Sequence, residues 1–303
     1  MTPSSTSRTI DATTSETDPA AVVPAATGSA DSDNDAVVLL EDVRFQYGSG
    51  PTVLDGITMT VNRGQIVGVV GPSGCGKSTL LSILASLSAP TSGKIEHRLA
   101  RAPGRHSLSM VFQKDTLLPW LNVADNVALG FRLHRTDVSR SERRSRVQEL
   151  ISMVGLEGFE KHYPYQLSGG MKRRVAFLAA VAPLPQVLLL DEPFSSLDEP
   201  TRVAIHQDIL RIMHEFDMSA ILVTHDLAEA VALCDEVNIL TARPASVYSK
   251  HKVDFGRERV MLELRQDPDF LDLYGTLWHD LSLQIVKSHN AGENTRSTQA
   301  EED

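Results

Sequence analysis

The chain has little cysteine, little positive charge for its length, and no apolar run long enough to span a bilayer. Its two cysteines, Cys75 and Cys234, stand far apart in 303 residues. That argues against a disulfide framework and fits a reducing compartment. The most apolar stretch, Val175 to Leu190, is interrupted by Pro183, Pro185 and Gln186, short of the roughly 20 apolar residues that a membrane helix needs. Arg8 near the N-terminus has no apolar segment behind it, so no secretory signal is expected. Lysine and arginine total 29 against 39 acidic residues, for a formal net charge of -10. A general nucleic-acid binder is usually basic, and this chain is not expected to be one.

What is present is enough apolar material, 42% of residues, for one large domain or two smaller ones. Residues 1–36 are rich in Ser, Thr, Ala and Asp, and set Asp11, Glu16, Asp18, Asp31, Asp33 and Asp35 against Arg8. This composition predicts a disordered acidic tail. Residues 287–303 read as a second unstructured tail. Between the tails, residues 37–286 alternate strand and helix patterns. Val37 to Tyr47 and Ile57 to Val61 read as strands of an opening antiparallel portion, and Leu108 to Phe112, Val187 to Leu190 and Ala220 to Val223 as short buried strands. From Asp115 to about Gln166 the chain reads as helical, part of an inserted helical subdomain of about residues 115–180. The pattern predicts an α/β fold with a mostly parallel sheet covered on both sides. No internal repeat is visible.

The most informative stretch is Gly71-Pro72-Ser73-Gly74-Cys75-Gly76-Lys77-Ser78-Thr79. Its spacing is that of a phosphate-binding loop. A buried strand, Gln65 to Val70, precedes it, and Leu80, Leu81, Leu84 and Leu87 follow at helical spacing. Glycines let several backbone N–H groups turn inward on one anion, and the positive end of the helix dipole adds to the attraction. Lys77 is placed to reach the β- and γ-phosphates and Ser78 to hold Mg²⁺. Cys75 reads as a small spacer and not a nucleophile.

Four further elements narrow the class. The apolar strand Val187 to Leu190 ends in Asp191 and Glu192. Asp191 falls where a P-loop enzyme places an acid near Mg²⁺, and Glu192 where it can polarise a water. Leu167-Ser168-Gly169-Gly170-Met171 precedes an apolar helical run; Ser168 can cap that helix, and the glycines allow close approach to an anion. Gln113 ends the strand Val111-Phe112-Gln113, and His225 follows the strand Ile221 to Val223. In open α/β sheets the carboxyl ends of strands face the ligand crevice. On sequence alone, a solvated glutamine and a structural histidine remain open readings of those two positions.

Taken in order, the P-loop, Gln113, the Leu167–Met171 signature, the Asp191–Glu192 pair, the Ser195-Ser196-Leu197-Asp198 turn and His225 resemble the ATP-binding subunit of an ABC transporter. The resemblance covers Val37 to Leu283, and the signature is its most specific part. It implies that two copies pair head to tail, with each ATP held between one copy's P-loop and the other's Ser168, Gly169 and Gly170. It implies Glu192 as general base, His225 as γ-phosphate contact, Gln113 as sensor of Mg²⁺ and water, and Asp198 as reporter across the interface. Tyr47 falls where the family stacks an aromatic on adenine, though a core tyrosine is an open alternative. The cofactors implied are ATP and Mg²⁺. The partners are a second copy, an integral membrane permease and, indirectly, a solute-binding protein, all at the cytoplasmic face of the membrane.

Val111-Phe112-Gln113, Leu117 to Trp120, Asn122 to Gly130, Met171 and Ala242-Arg243-Pro244 resemble the branch that imports nitrate, sulfonates and taurine. Exposed Leu118, Pro119 and Trp120 suit a groove for a permease helix, with a core tryptophan as the alternative. The chain ends soon after Trp278, and the long β-rich C-terminal regulatory domain of some importers is not expected. Three positions depart from the family: Arg173 replaces a usual glutamine, Ala179 a common arginine, and Ser196 a frequent alanine. An exporter subunit, a non-transport ABC ATPase and a small-molecule P-loop kinase are the competing readings; the kinase does not need the signature.

Overall fold

The computed structural model describes residues 35–99, 106–114, 116–133, 138–195, 197–256 and 259–300. The acidic tail expected over residues 1–36 lies outside them except for Asp35 and Ala36, as do Asp115 and Ser196.

Two sheets organise the chain. β1 (Ala36–Gln46), β2 (Thr52–Asn62) and β4 (Ser92–His97) form an antiparallel sheet of order β2-β1-β4. β3 (Ile66–Val70), β5 (His106–Val111), β6 (Pro185–Asp191), β7 (Ser219–Thr224), β8 (Glu236–Leu240) and β9 (Val247–Lys252) form the second, of order β5-β6-β7-β3-β8-β9. All its pairings are parallel except β8 with β9.

The wholly apolar strands follow from burial on both faces. Val67, Val69, Val187, Leu189, Ile221 and Val223 pack with the antiparallel sheet and α1 (Lys77–Leu84). Their neighbours Ile66, Val70, Leu188, Leu190, Ala220 and Leu222 point the other way, into a core shared with the remaining helices. The period-2 alternation of a strand thus divides one apolar run between two cores. β4 and β9 were not anticipated, because each is a largely polar edge strand with no apolar run: SGKIEH and VYSKHK. Lysines on such edges discourage pairing with other chains.

The expected helical stretch is broken into α2 (Val123–Leu133), α3 (Arg140–Met153), a single 3-10 turn at Pro164–Gln166, and α4 (Gly169–Val181). α2 packs on α3 and α4. α5 (Glu199–Glu215), α6 (Leu227–Leu233), α7 (Met261–Leu264) and α8 (Pro268–Ala300) complete the fold. Two expectations are corrected. α1 stops at Leu84, so Leu87 lies beyond its apolar face and is 70% exposed. The segment from Lys287, expected to be unstructured, continues α8 as far as Ala300; its polar composition hid the extension of a helix anchored upstream by the buried Phe270, Leu277 and Leu281.

Candidate active site

The strand order brings the predicted residues together. β5, β6, β7 and β3 are adjacent and parallel, so their C-terminal ends share one edge. From that edge emerge Gln113 after β5, Asp191 and Glu192 at the end of β6, His225 after β7, and the 71–76 loop after β3.

The loop has the build that phosphate binding demands. Gly76 sits at φ +126° ahead of α1, and a Cβ there would lie 2.9 Å from Leu54 Cδ2; a non-glycine residue would be strained and crowded. Lys77 is buried, and its ammonium donates to the carbonyls of Gly71 (2.8 Å) and Pro72 (3.0 Å), using two of its three N–H groups. Cys75 is buried, and burial pushes its thiol up in pKa. It is therefore a poor thiolate, in keeping with a spacer. Tyr47 is 59% exposed, which removes the core alternative. Its hydroxyl lies 3.2 Å from Thr79 Oγ1, and Phe45 supports its ring edge-on at 4.8 Å.

Glu192 is the centre of the edge. Gln113 Nε2 donates to its Oε2 at 3.1 Å, and His225 Nδ1 lies 3.2 Å from the same oxygen. Both residues thus face the carboxylate and not merely solvent. The Glu192 backbone adopts φ +42°, and its N–H donates to Val223 O at 2.9 Å. A left-handed conformation at a non-glycine residue costs about 1–2 kcal/mol, and such strain gathers at functional sites. Asp191 lies beside it, with Ser78 Oγ 3.5 Å from its Oδ1. Burial above all, and then the charge of Glu192, hold the Asp191 carboxyl above the usual aspartate range, against the opposing pull of Ser78 and Lys77. A cation at this point would relieve both causes.

The signature is built elsewhere. Ser168 caps α4, accepting from Met171 N at 3.3 Å. Gly170 is required by packing within the chain, since a Cβ there would lie 2.6 Å from Thr201 Cγ2 on α5. Gly169 is different: a Cβ there meets nothing within 4 Å. Among the described residues, no hydrogen bond or ion pair joins Ser168, Gly169 or Gly170 to the 71–79 loop. Asp198 precedes α5, exposed, and Thr201 holds its carboxyl below the usual range.

Sequence reasoning missed the supports of this edge. Arg202 donates to Asp226 Oδ2 (2.5 Å), next to His225, and to Leu197 O (3.0 Å), next to Asp198. Below it the buried pair His206–Glu229 (3.2 Å) joins α5 to α6. These residues carry no motif; only their helical spacing, Arg202 to His206 and Asp226 to Glu229, hinted at a shared face.

The sequence matches the family described as ABC transporter over residues 54–195. It is 40% identical over 235 residues to the taurine import ATP-binding protein TauB of Burkholderia thailandensis, covering 76% of this chain and 90% of that one. The chain belongs to the ABC transporter family. As an ABC protein with this strand-end constellation, it is an ATP hydrolase. It is also 41% identical over 234 residues to the nitrate import ATP-binding protein NrtC of Synechococcus elongatus, covering 76% of this chain but spanning only 35% of that relative. Among solved structures, a dimeric post-hydrolysis ATP-binding cassette bound to ADP and Pi matches with a TM-score of 0.60 and 30% identity, over 72% of this chain and all of that one. The P-loop kinase reading is thereby set aside.

Proposed function

We propose that two copies of this chain clasp two ATP molecules, each between the 71–79 loop of one copy and Ser168, Gly169 and Gly170 of the other, and that hydrolysis drives uptake of a small solute through a membrane permease. The observation that carries the reading is the Glu192 carboxylate held between Gln113 and His225. The named relatives are importers, which favours import over export. Their cargoes, nitrate and taurine, suggest a small anionic or zwitterionic solute of that kind.

In this reading the loop N–H groups and Lys77 hold the phosphates, and Tyr47 stacks on adenine. Glu192 takes a proton from the attacking water while Gln113 and His225 fix its orientation. His225 also faces the γ-phosphate. Most of the catalysis is positioning and charge stabilisation. Ser78, Asp191 and Gln113 offer the hard oxygen donors that suit Mg²⁺. Bound there, Mg²⁺ supplies charge neutralisation of the β- and γ-oxygens.

The permease contact is supported by the loop before α2. Asn126 is buried; its side chain accepts from Leu118 N (2.8 Å) and donates to the carbonyls of Leu118 (3.2 Å), Leu121 (2.9 Å) and Asn122 (3.0 Å). This network fixes the turn that leaves Trp120 69% exposed, which removes the core alternative. A groove of about 880 Å³ between α2 and α3 begins at Asn122 and carries Arg132, Arg140, Arg144 and Lys161. Exposed Trp120, two residues before Asn122 in the chain, is the kind of aromatic that anchors a docking partner. No helix among the described residues is long and apolar enough to cross a membrane. The subunit acts from the cytoplasmic face through the permease, which a solute-binding protein supplies.

The test is Glu192→Gln. ATP binding is retained, turnover falls by at least about 100-fold, in line with the loss of a general base, and an ATP-bound dimer accumulates on size exclusion. Unchanged turnover contradicts the assignment.

A further inference from the structure

We infer that Arg173, the departure from the family's usual glutamine, is a positioning residue for hydrolysis: it fastens the backbone of the Gln113 turn to the helix that carries the signature. Arg173 is only 2% exposed. Its NH2 donates to Phe112 O at 2.8 Å and its NH1 to Gln113 O at 3.2 Å. β5 ends at Val111, so these two carbonyls stand just past the sheet ladder, where buried backbone acceptors need another donor. The planar guanidinium spans both at once. A lysine or a glutamine brings one nitrogen where the guanidinium brings two held in a fixed plane, and the glutamine arm is shorter, so neither matches the same two-nitrogen geometry.

The consequence lies at the other end of Gln113. Its side chain donates to Glu192 Oε2 at 3.1 Å, so the residue whose carbonyl Arg173 holds is the one that touches the base. Arg173 also sits on α4, four residues after Gly169, or about 6 Å along the axis at 1.5 Å per residue. The same stiff helix therefore presents the signature at its N-terminus and fixes the reach of Gln113 toward Glu192. This inference rests on the ATPase reading of Glu192 and adds a role for a buried side chain on α4 outside the strand-end edge.

A double-mutant cycle in the full-length chain tests it, with kcat and KM for ATP measured for wild type, Arg173→Gln, Gln113→Ala and the double variant. Arg173→Gln is expected to lower kcat about tenfold, the worth of one charge-assisted hydrogen bond, with KM changed less than about twofold. In the Gln113→Ala background the same substitution is expected to cost less than about twofold, because its effect passes through Gln113. Arg173→Lys is expected to recover part of the loss, and it takes the place of Arg173→Gln in the cycle if that variant does not fold. Equal losses in both backgrounds, an unchanged kcat, or a loss matched by less nucleotide-binding protein each overturn the inference. Glu192→Gln run alongside separates the two claims: retained turnover there overturns the base, while the cycle alone decides Arg173.

Discussion

The strand-end edge and the signature turn are built on opposite principles. At the edge, four adjacent parallel strands deliver the loop, Gln113, Glu192 and His225 to one place, and those side chains satisfy one another: Gln113 and His225 meet Glu192, and Lys77 meets its own loop. At the signature, Ser168 caps its helix and Gly170 answers to Thr201, yet Gly169 has open space around it. In one region the polar side chains find their partners within the chain, and its open glycine, Gly74, is explained by a φ of +74°. The other holds a glycine that internal packing does not require, at the N-terminus of a helix, where backbone N–H groups and the dipole favour an anion. The contrast fits the proposed reading, in which the strand-end edge of one copy holds the nucleotide and the signature turn of a second copy closes over it.

Substitutions at the two glycines break the comparison most sharply. Gly169→Asp places a carboxylate where an anion is to dock. The account predicts a normally folded protein whose ATP turnover falls by at least about tenfold, since like-charge repulsion at close range is worth more than 1.4 kcal/mol. Sizing in the presence of ATP should show monomer. Gly170→Ala acts on the fold instead: its Cβ must push against Thr201, and overpacking of this kind costs about 1–3 kcal/mol, readable as a lower denaturant midpoint. If Gly169→Asp unfolds the protein while Gly170→Ala leaves it untouched, the two glycines have been assigned the wrong way round.

Asp191→Asn sharpens the comparison from the side of the edge, with the smallest expected effect. Burial raises the folded-state pKa of Asp191, so the folded protein keeps this proton to higher pH than the unfolded chain does. Ionisation therefore costs stability. The cost is absent below the unfolded pKa and complete above the folded one. The asparagine variant should melt slightly higher than wild type at neutral pH, and the gain should shrink as pH falls through the carboxylate range. A variant that melts lower at neutral pH contradicts the reading that ionised Asp191 costs the folded chain stability.

How much of this was legible follows from how each feature is encoded. The loop at residues 71–79 and the Asp191–Glu192 pair are continuous in sequence, and short-range chemistry dictates them. Gln113 and His225 could be placed at strand ends, but their meeting at one oxygen of Glu192 depends on strand order. The alternation of residues was too short in β6 and β7 to show that each serves two cores. Arg173 showed in the sequence only as a departure; its function depends on the carbonyls of a turn 60 residues away. Asn126 was one letter in a familiar stretch until its four bonds to the preceding loop were seen. β4 and β9 escaped because edge strands need no apolar run, and the end of α8 because helix propagation from a buried segment needs no apolar pattern of its own.

The central claim is that each nucleotide site is completed by a second copy, and the concentration dependence of ATP turnover by the purified chain tests it most directly. The account predicts that turnover per chain rises with protein concentration and reaches a plateau as ATP-bound dimer forms. A constant turnover per chain, maintained at dilutions where only monomer is present, would contradict it.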